Sequence, residues 1–279
     1  MSKVDVTRPI GVFDSGIGGL TVVAAIRELL PHERIVYIGD TARVPYGGKS
    51  KPTVERYSLE IAGLLLEEDA KAIVVACNTA SALALPRLVE SVPVPVTGVI
   101  EPGAQAAVAA SRNRHIGVIG TRATINSGAY ERALRSLEGA IDVTSRPCPL
   151  LVPLIEEGRL DGEVTERIIR EYIQPMLELG VDTLVLGCTH YPLLRTAIQN
   201  VCGDNVTLVD SAENCARAVE NLLRRQDLAV PSSAAGSLRV ALTDMPDHFL
   251  RVAQEALRLK IDDLSVCDLP HLSASAASV

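Results

Sequence analysis

The chain has 279 residues, a formal net charge of −7 and six cysteines, at positions 77, 148, 188, 202, 215 and 267. Its length allows one large domain or two modest ones. The acidic balance gives no support to nucleic-acid binding, and no apolar run is long enough to span a bilayer. The cysteine spacing contains no CxxC pair and matches no zinc site. With no signal-peptide pattern at the N-terminus, we expect a cytoplasmic protein with reduced thiols.

Short apolar runs alternate with amphipathic segments along the chain, which predicts an α/β architecture with mostly parallel sheets. Strands are predicted at 9–13, 35–38, 72–76, 96–100, 116–119, 141–145, 183–186, 206–209, 239–242 and 264–267. Helices are predicted at 20–30, 52–68, 81–92, 123–137, 162–179, 211–225 and 247–259. Residues 147–158 are expected to be irregular or a short helix, and 101–103 to be a boundary.

Two polar loops follow the first two strands. The turn at 14–19 contains Gly16-x-Gly18, which is weakly similar to a dinucleotide-binding fingerprint, and Asp40 lies roughly where a ribose-binding acid would. However, Thr21 stands where that pattern needs Gly or Ala. We therefore favour glycines that let backbone amides approach a substrate carboxylate. The second loop, 39–50, is long and polar, which makes it a candidate for function.

Two cysteines occupy matching places in an internal repeat. The segment GVFDSG at 11–16 resembles GVIGTR at 117–122; Cys77 lies 66 residues after the start of the first, and Cys188 lies 71 residues after the start of the second. Each cysteine follows a predicted strand and precedes a predicted helix, a place where ligands bind and where the thiolate is favoured. The repeat predicts two related α/β units with a cleft between them.

Two thiols on opposite sides of a ligand suit the inversion of a stereocentre next to a carboxylate. One residue removes the proton from one face while the other returns a proton to the opposite face, and the two roles swap with the direction of the reaction. Asp14 is placed to assist Cys77, and His190 to assist Cys188. The other four cysteines are interpreted as small buried hydrophobic residues.

Five segments of the chain closely resemble bacterial glutamate racemase: GVFDSGIGGLTV, YIGDTARVPYGGKS, VACNTASA, GVIGTRATINSGAY and LGCTHYPLL. The resemblance implies two pseudo-symmetric α/β domains, one formed by 1–98 with 211–279 and the other by 99–210, with the active site in the cleft between them. It implies conversion of L-glutamate to D-glutamate for peptidoglycan synthesis, with neither a metal nor pyridoxal phosphate. It also implies a homodimer.

The same resemblance implies the roles of individual residues. Cys77 and Cys188 would be the two acid/bases, assisted by Asp14, Glu156 and His190. Substrate contacts are implied for Ser15, Tyr46, Gly47, Asn78, Thr79, Thr121 and Thr189. These side chains and nearby backbone amides provide donors at strand and helix ends, which can hold carboxylates without a metal.

Three alternatives stay open. A racemase for aspartate or another amino acid would share the paired thiols and differ in pocket length. A non-catalytic amino-acid-binding protein on the same scaffold would tolerate replacement of both thiols. A cysteine hydrolase using Cys188 and His190 is less favoured, because residues two apart rarely form such a pair and no third group is evident to orient the histidine.

Overall fold

The computed structural model describes residues 5–245, 253 and 258–269. The described strands are β1 Ile10–Asp14, β2 Arg34–Gly39, β3 Ala72–Val75, β4 Val96–Gly98, β5 His115–Gly120, β6 Asp142–Pro147, β7 Thr183–Gly187, β8 Thr207–Asp210, β9 Ser237–Leu242 and β10 Asp263–Val266. The described helices are α1 Leu20–Leu29, α2 Lys51–Glu67, α3 Asn78–Leu83, α4 Leu85–Ser91, α5 Ile100–Ala110, α6 Arg122–Asn126, α7 Ala129–Leu137, α8 Leu151–Glu156, α9 Glu163–Glu178, α10 Arg195–Cys202 and α11 Ser211–Arg225.

The strands form two parallel sheets, ordered β10-β9-β2-β1-β3-β4 and β6-β5-β7-β8. The strand order β2-β1-β3-β4 recurs as β6-β5-β7-β8, so the predicted repeat and the α/β fold class are confirmed. All residues of β1 and β7 are buried, as expected for parallel strands that are covered by helices on both faces. Cys77 follows β3 and Cys188 follows β7, which are the equivalent strands of the two sheets.

Several predicted boundaries are wrong. The strand predicted at 96–100 ends at Gly98, and α5 begins at Ile100 and continues through the expected boundary at 101–103. Pro102 lies in the first turn of α5, where backbone N–H groups have no acceptor within the helix. The missing N–H of proline therefore costs nothing there, and Pro102 marks the start of a helix rather than a break.

Two predicted helices are each divided into two. The helix predicted at 123–137 is α6 and α7, separated at Gly128, whose φ is +65°. The helix predicted at 81–92 is α3 and α4, and α3 already starts at Asn78. The helix predicted to follow Cys188 is α10, which begins at Arg195. Most of the helix predicted at 247–259 lies outside the described residues.

Candidate active site

The carboxyl ends of strands from both sheets meet at a small cavity of about 30 Å³. Ten of the predicted site residues line it: Ser15, Tyr46, Gly47, Cys77, Asn78, Thr79, Thr121, Cys188, Thr189 and His190. Val44, Pro45 and Val152 also line it and were not predicted. Two predicted residues, Asp14 and Glu156, are not part of the lining. Asp14 contacts Thr189 of the lining, and Glu156 contacts His190.

Cys77 caps the N-terminus of α3. Its sulfur accepts the Ala80 N–H at 3.4 Å, and its thiol donates to the Ser15 hydroxyl at 3.6 Å. Burial raises the pKa of Cys77 to about 12, and the charge of Asp14 adds to the increase, whereas the bonds to Ala80 and Ser15 lower the pKa by less. Cys77 is therefore a protonated thiol in this structure. The expectation that the helix terminus would favour its thiolate is wrong, because burial outweighs that effect.

Asp14 connects the glycine-rich turn to the second cysteine segment. Its Oδ2 accepts the backbone N–H groups of Gly16 at 3.2 Å and Gly19 at 3.0 Å. Its Oδ1 accepts the hydroxyl of Thr189 at 3.4 Å. The carboxylate is fully buried and, as described above, opposes ionisation of Cys77.

His190 lies between Cys188 and Glu156. Its Nδ1 is 3.9 Å from the Cys188 sulfur, and its Nε2 is 3.6 Å from a carboxylate oxygen of Glu156. Burial lowers the pKa of His190, but contact with Cys188 and Glu156 and the charge of Asp14 outweigh it and raise the pKa to about 10. The imidazole is therefore protonated at neutral pH. The expectation that no third group orients this histidine is wrong, because the Glu156 carboxylate lies beside its Nε2.

The loop at 39–50 reaches the second sheet's side of the cavity. A Cβ on Gly47 would lie 2.6 Å from Thr121 Cβ, so only glycine allows this approach. The Tyr46 hydroxyl donates to Asp40, which is fully buried and also binds Arg43. Asp40 thus anchors the loop instead of binding a ribose.

Three threonine hydroxyls form a cluster beside that contact. Thr79 Oγ1 is 3.0 Å from Thr121 Oγ1 and 3.1 Å from Thr124 Oγ1. Thr124 was not predicted as a site residue, because only the fold brings it against Thr79. The cluster joins α3 to α6 and places hydroxyl groups from both sheets at one wall of the cavity.

Asn78 presents a free donor. The Tyr130 hydroxyl donates to its Oδ1 at 2.6 Å, while its Nδ2 is buried and has no hydrogen-bond partner among the described residues. A buried donor without a partner is costly unless a ligand or water satisfies it. Tyr130 was also missed by sequence reasoning, since 52 residues separate it from Asn78.

The remaining cysteines differ in exposure. Cys148, Cys202 and Cys215 are buried as predicted, whereas Cys267 is half-buried. Within the described ranges, no group of three or more His, Cys, Asp or Glu residues is arranged to hold a metal ion. The same ranges contain no helix of the length and apolarity that crossing a membrane requires.

Comparison with known proteins agrees with this geometry. Residues 19–219 match the Asp/Glu/Hydantoin racemase family. A glutamate racemase from Geobacter metallireducens is 51% identical over 92% of this chain and 95% of its own. The crystal structure of a glutamate racemase isoform from Bacillus anthracis is 39% identical, with a TM-score of 0.91 over 95% of this chain and 99% of its own.

A third similar protein is known with a ligand. The glutamate racemase of Francisella tularensis, crystallised in complex with D-glutamate, is 37% identical, with a TM-score of 0.88 over 95% of this chain and 99% of its own. The chain belongs to the Asp/Glu/Hydantoin racemase family. It is therefore an amino-acid racemase of the isomerase class, and the resemblance to bacterial glutamate racemase is confirmed.

Proposed function

We propose that this protein interconverts L- and D-glutamate, with Cys77 and Cys188 as the two acid/bases. The observation that carries the proposal is that these cysteines follow equivalent strands of a repeated unit and line the same cavity. The similar proteins named above are glutamate racemases, which favours glutamate over aspartate. Neither cysteine is needed for a binding protein, so their joint presence in the cavity favours catalysis.

The electrostatics indicate which thiol is the acid in the structure described. His190 is protonated at neutral pH, and its Nδ1 lies 3.9 Å from the Cys188 sulfur. Cys77 keeps its proton because it is deeply buried near Asp14. Cys77 therefore acts as the acid and delivers its proton to one face of Cα, which leaves Cys188 to take the proton from the opposite face. In the reverse reaction, Cys77 is the base and Cys188 the acid.

The substrate needs donors for its carboxylates and more room than the cavity now provides. Nδ2 of Asn78 and the hydroxyl cluster at Thr79 and Thr121 supply donors. A cavity of about 30 Å³ holds only about two water molecules, whereas glutamate has ten non-hydrogen atoms. We infer that the site opens to admit the substrate and that the structure describes the closed form.

The hydrolase alternative gains one observation, because Cys188, His190 and Glu156 are arranged like a nucleophile, a base and an orienting carboxylate. That arrangement gives no role to Cys77 on the other side of the repeat. Acyl-enzyme trapping at Cys188 with an ester substrate would support it, and none is expected.

Four further proposals concern the domain division, the oligomeric state, the cellular location and the biological role. The division into domains 1–98 with 211–279 and 99–210 is supported by the two sheets, whose strands fall on either side of those boundaries. The homodimer, the cytoplasmic location and the supply of D-glutamate to peptidoglycan synthesis are supported by the sequence resemblance. Light scattering of the purified protein tests the dimer, for which we expect twice the chain mass.

The activity is tested by circular dichroism with each enantiomer of glutamate and aspartate, without added cofactor. We expect loss of optical signal from both glutamate enantiomers and little from aspartate. Cys77→Ser and Cys188→Ser should each abolish turnover, and Cys202→Ser, a buried cysteine outside the cavity, is the matched control that should retain it. Turnover of aspartate alone would replace the substrate assignment, and full activity of either site variant would refute the two-thiol mechanism.

A further inference from the structure

Asn78 is the first residue of α3 and lines the cavity together with both cysteines. Its carboxamide carries an acceptor at one end and a donor at the other, and a half-turn about the Cβ–Cγ bond exchanges them. A carboxylate at this wall requires the donor, because the amide oxygen would repel it. The value of Asn78 for binding therefore depends on which end faces the cavity.

Tyr130 of α7 contacts the end that must face away. Its hydroxyl donates to Asn78 Oδ1 at 2.6 Å, and the tyrosine side chain is almost fully buried. This bond occupies the acceptor of Asn78 and leaves Nδ2 as the unsatisfied donor. The tyrosine and the asparagine lie on elements that follow strands of different sheets, so the contact exists only where the two sheets meet.

The proton of Tyr130 has a defined direction. Burial raises the pKa of Tyr130, and a hydrogen bond with Ser211, the first residue of α11, lowers it by less. The Tyr130 hydroxyl therefore keeps its proton, which it donates to Asn78 Oδ1.

We propose that Tyr130 is a positioning residue whose hydroxyl holds the Asn78 carboxamide with Nδ2 facing the cavity, as a donor to a carboxylate of the substrate. The identity of that carboxylate as part of glutamate rests on the proposed function. Without the hydroxyl, either end of the amide can face the cavity, and the oxygen-facing orientation opposes binding.

The kinetic test uses Tyr130→Phe, Asn78→Ala and the double variant. A contact made equally in the ground state and the transition state affects KM and leaves kcat nearly unchanged. We expect Tyr130→Phe to raise KM for glutamate about tenfold, the size of one lost hydrogen bond. Because Tyr130 acts through Asn78, the double variant should be no worse than Asn78→Ala alone.

The matched control is Tyr191→Phe, which removes another buried hydroxyl, bonded to the Cys148 carbonyl oxygen at 3.0 Å. Its effect should multiply with that of Asn78→Ala, since no hydrogen bond joins the two side chains in the described residues. Multiplying effects of Tyr130→Phe and Asn78→Ala would overturn the proposal, as would a loss in kcat with KM unchanged.

A second measurement does not depend on turnover. The ¹⁵N side-chain amide signals of Asn78, assigned by their loss in Asn78→Ala, should shift or broaden in Tyr130→Phe and stay unchanged in Tyr191→Phe. Unchanged signals in Tyr130→Phe would overturn the positioning role even if the enzyme racemises glutamate. Conversely, a wild-type protein inactive on glutamate would refute the proposed function, while the amide signals would still decide the role of Tyr130.

Discussion

Gly18 lies where the glycine-rich turn of the first unit touches the histidine of the second. A Cβ built on Gly18 would lie 2.5 Å from His190 Nδ1 and 2.6 Å from Thr189 Oγ1. Ordinary contact starts at 3.4 Å, so Gly18→Ala requires a displacement of 0.9 Å at the histidine. His190 is enclosed by Cys188 on one side and Glu156 on the other and has little room to move.

A misplacement of about 1 Å at a catalytic group costs about 100-fold in rate. We therefore expect Gly18→Ala to lower kcat/KM for glutamate about 100-fold, measured by circular dichroism in both directions. Overpacking of a buried site should lower the free energy of unfolding by about 1–3 kcal/mol, measured by urea denaturation. The protein should remain folded, so the activity loss can be assigned to the displaced side chains of His190 and Thr189.

Gly63→Ala is the matched control, since the new Cβ meets no atom within 4 Å and lies inside α2. It should leave kcat/KM unchanged and raise stability by about 0.5–1 kcal/mol, because alanine is the better helix former. If Gly18→Ala retains kcat/KM within twofold of the wild type, the proposed role of a fixed His190 is refuted.

The remaining predictions concern pH and two buried charges. The pKa of His190 is raised to about 10 from 6.5, so its protonated imidazole stabilises the folded state. That contribution to the free energy of unfolding is fully present below about pH 6.5 and is lost as pH rises through about 10. Wild-type unfolding free energy should therefore fall between pH 7 and 10 by about 1–3 kcal/mol more than that of His190→Asn; parallel curves would contradict this. Asp40→Asn removes the charge that binds Arg43 and should lower the free energy of unfolding by about 3 kcal/mol, as measured by denaturation. It should also displace the loop at 39–50 and so raise KM, as measured by steady-state kinetics. Lys71 and Glu33 form a buried ion pair of 2.6 Å at the end of the sheet opposite the cavity. Lys71→Met leaves Glu33 without its partner and should lower the free energy of unfolding by about 3–5 kcal/mol, with kcat and KM unchanged in the folded protein. A change in KM for Lys71→Met would show that the site is coupled to that end of the sheet.

Strands and motif positions were predictable because they depend on local patterns. The apolar runs that became β1, β3, β5 and β7 are short, buried on both faces and followed by polar residues. The internal repeat in the sequence predicted two related units, and the two sheets share one strand order. Helix α5 was missed because Pro102 and Gly103 read as a boundary, although proline is compatible with a helix's first turn.

The supporting contacts were not predictable from local patterns. Tyr130 meets Asn78, and Thr124 meets Thr79, only through the packing of one unit on the other. The protonation of Cys77 depends on how deeply it is buried, which the residues around it do not reveal. The resemblance to a known family predicted ten of the residues that line the cavity. The protonation of Cys77 and the orientation of Asn78 became visible only in the folded structure.

The central claim is that two separate thiols exchange protons with opposite faces of one carbon. The direct measurement is the initial reaction of L-glutamate in deuterated water, followed by mass spectrometry of both enantiomers after chiral separation. We predict that the D-glutamate formed carries one solvent deuterium while the remaining L-glutamate stays protiated, because the delivering thiol has exchanged with solvent. Protiated product, or deuterium in the remaining substrate as fast as in the product, would show that a single base serves both faces and would contradict the account.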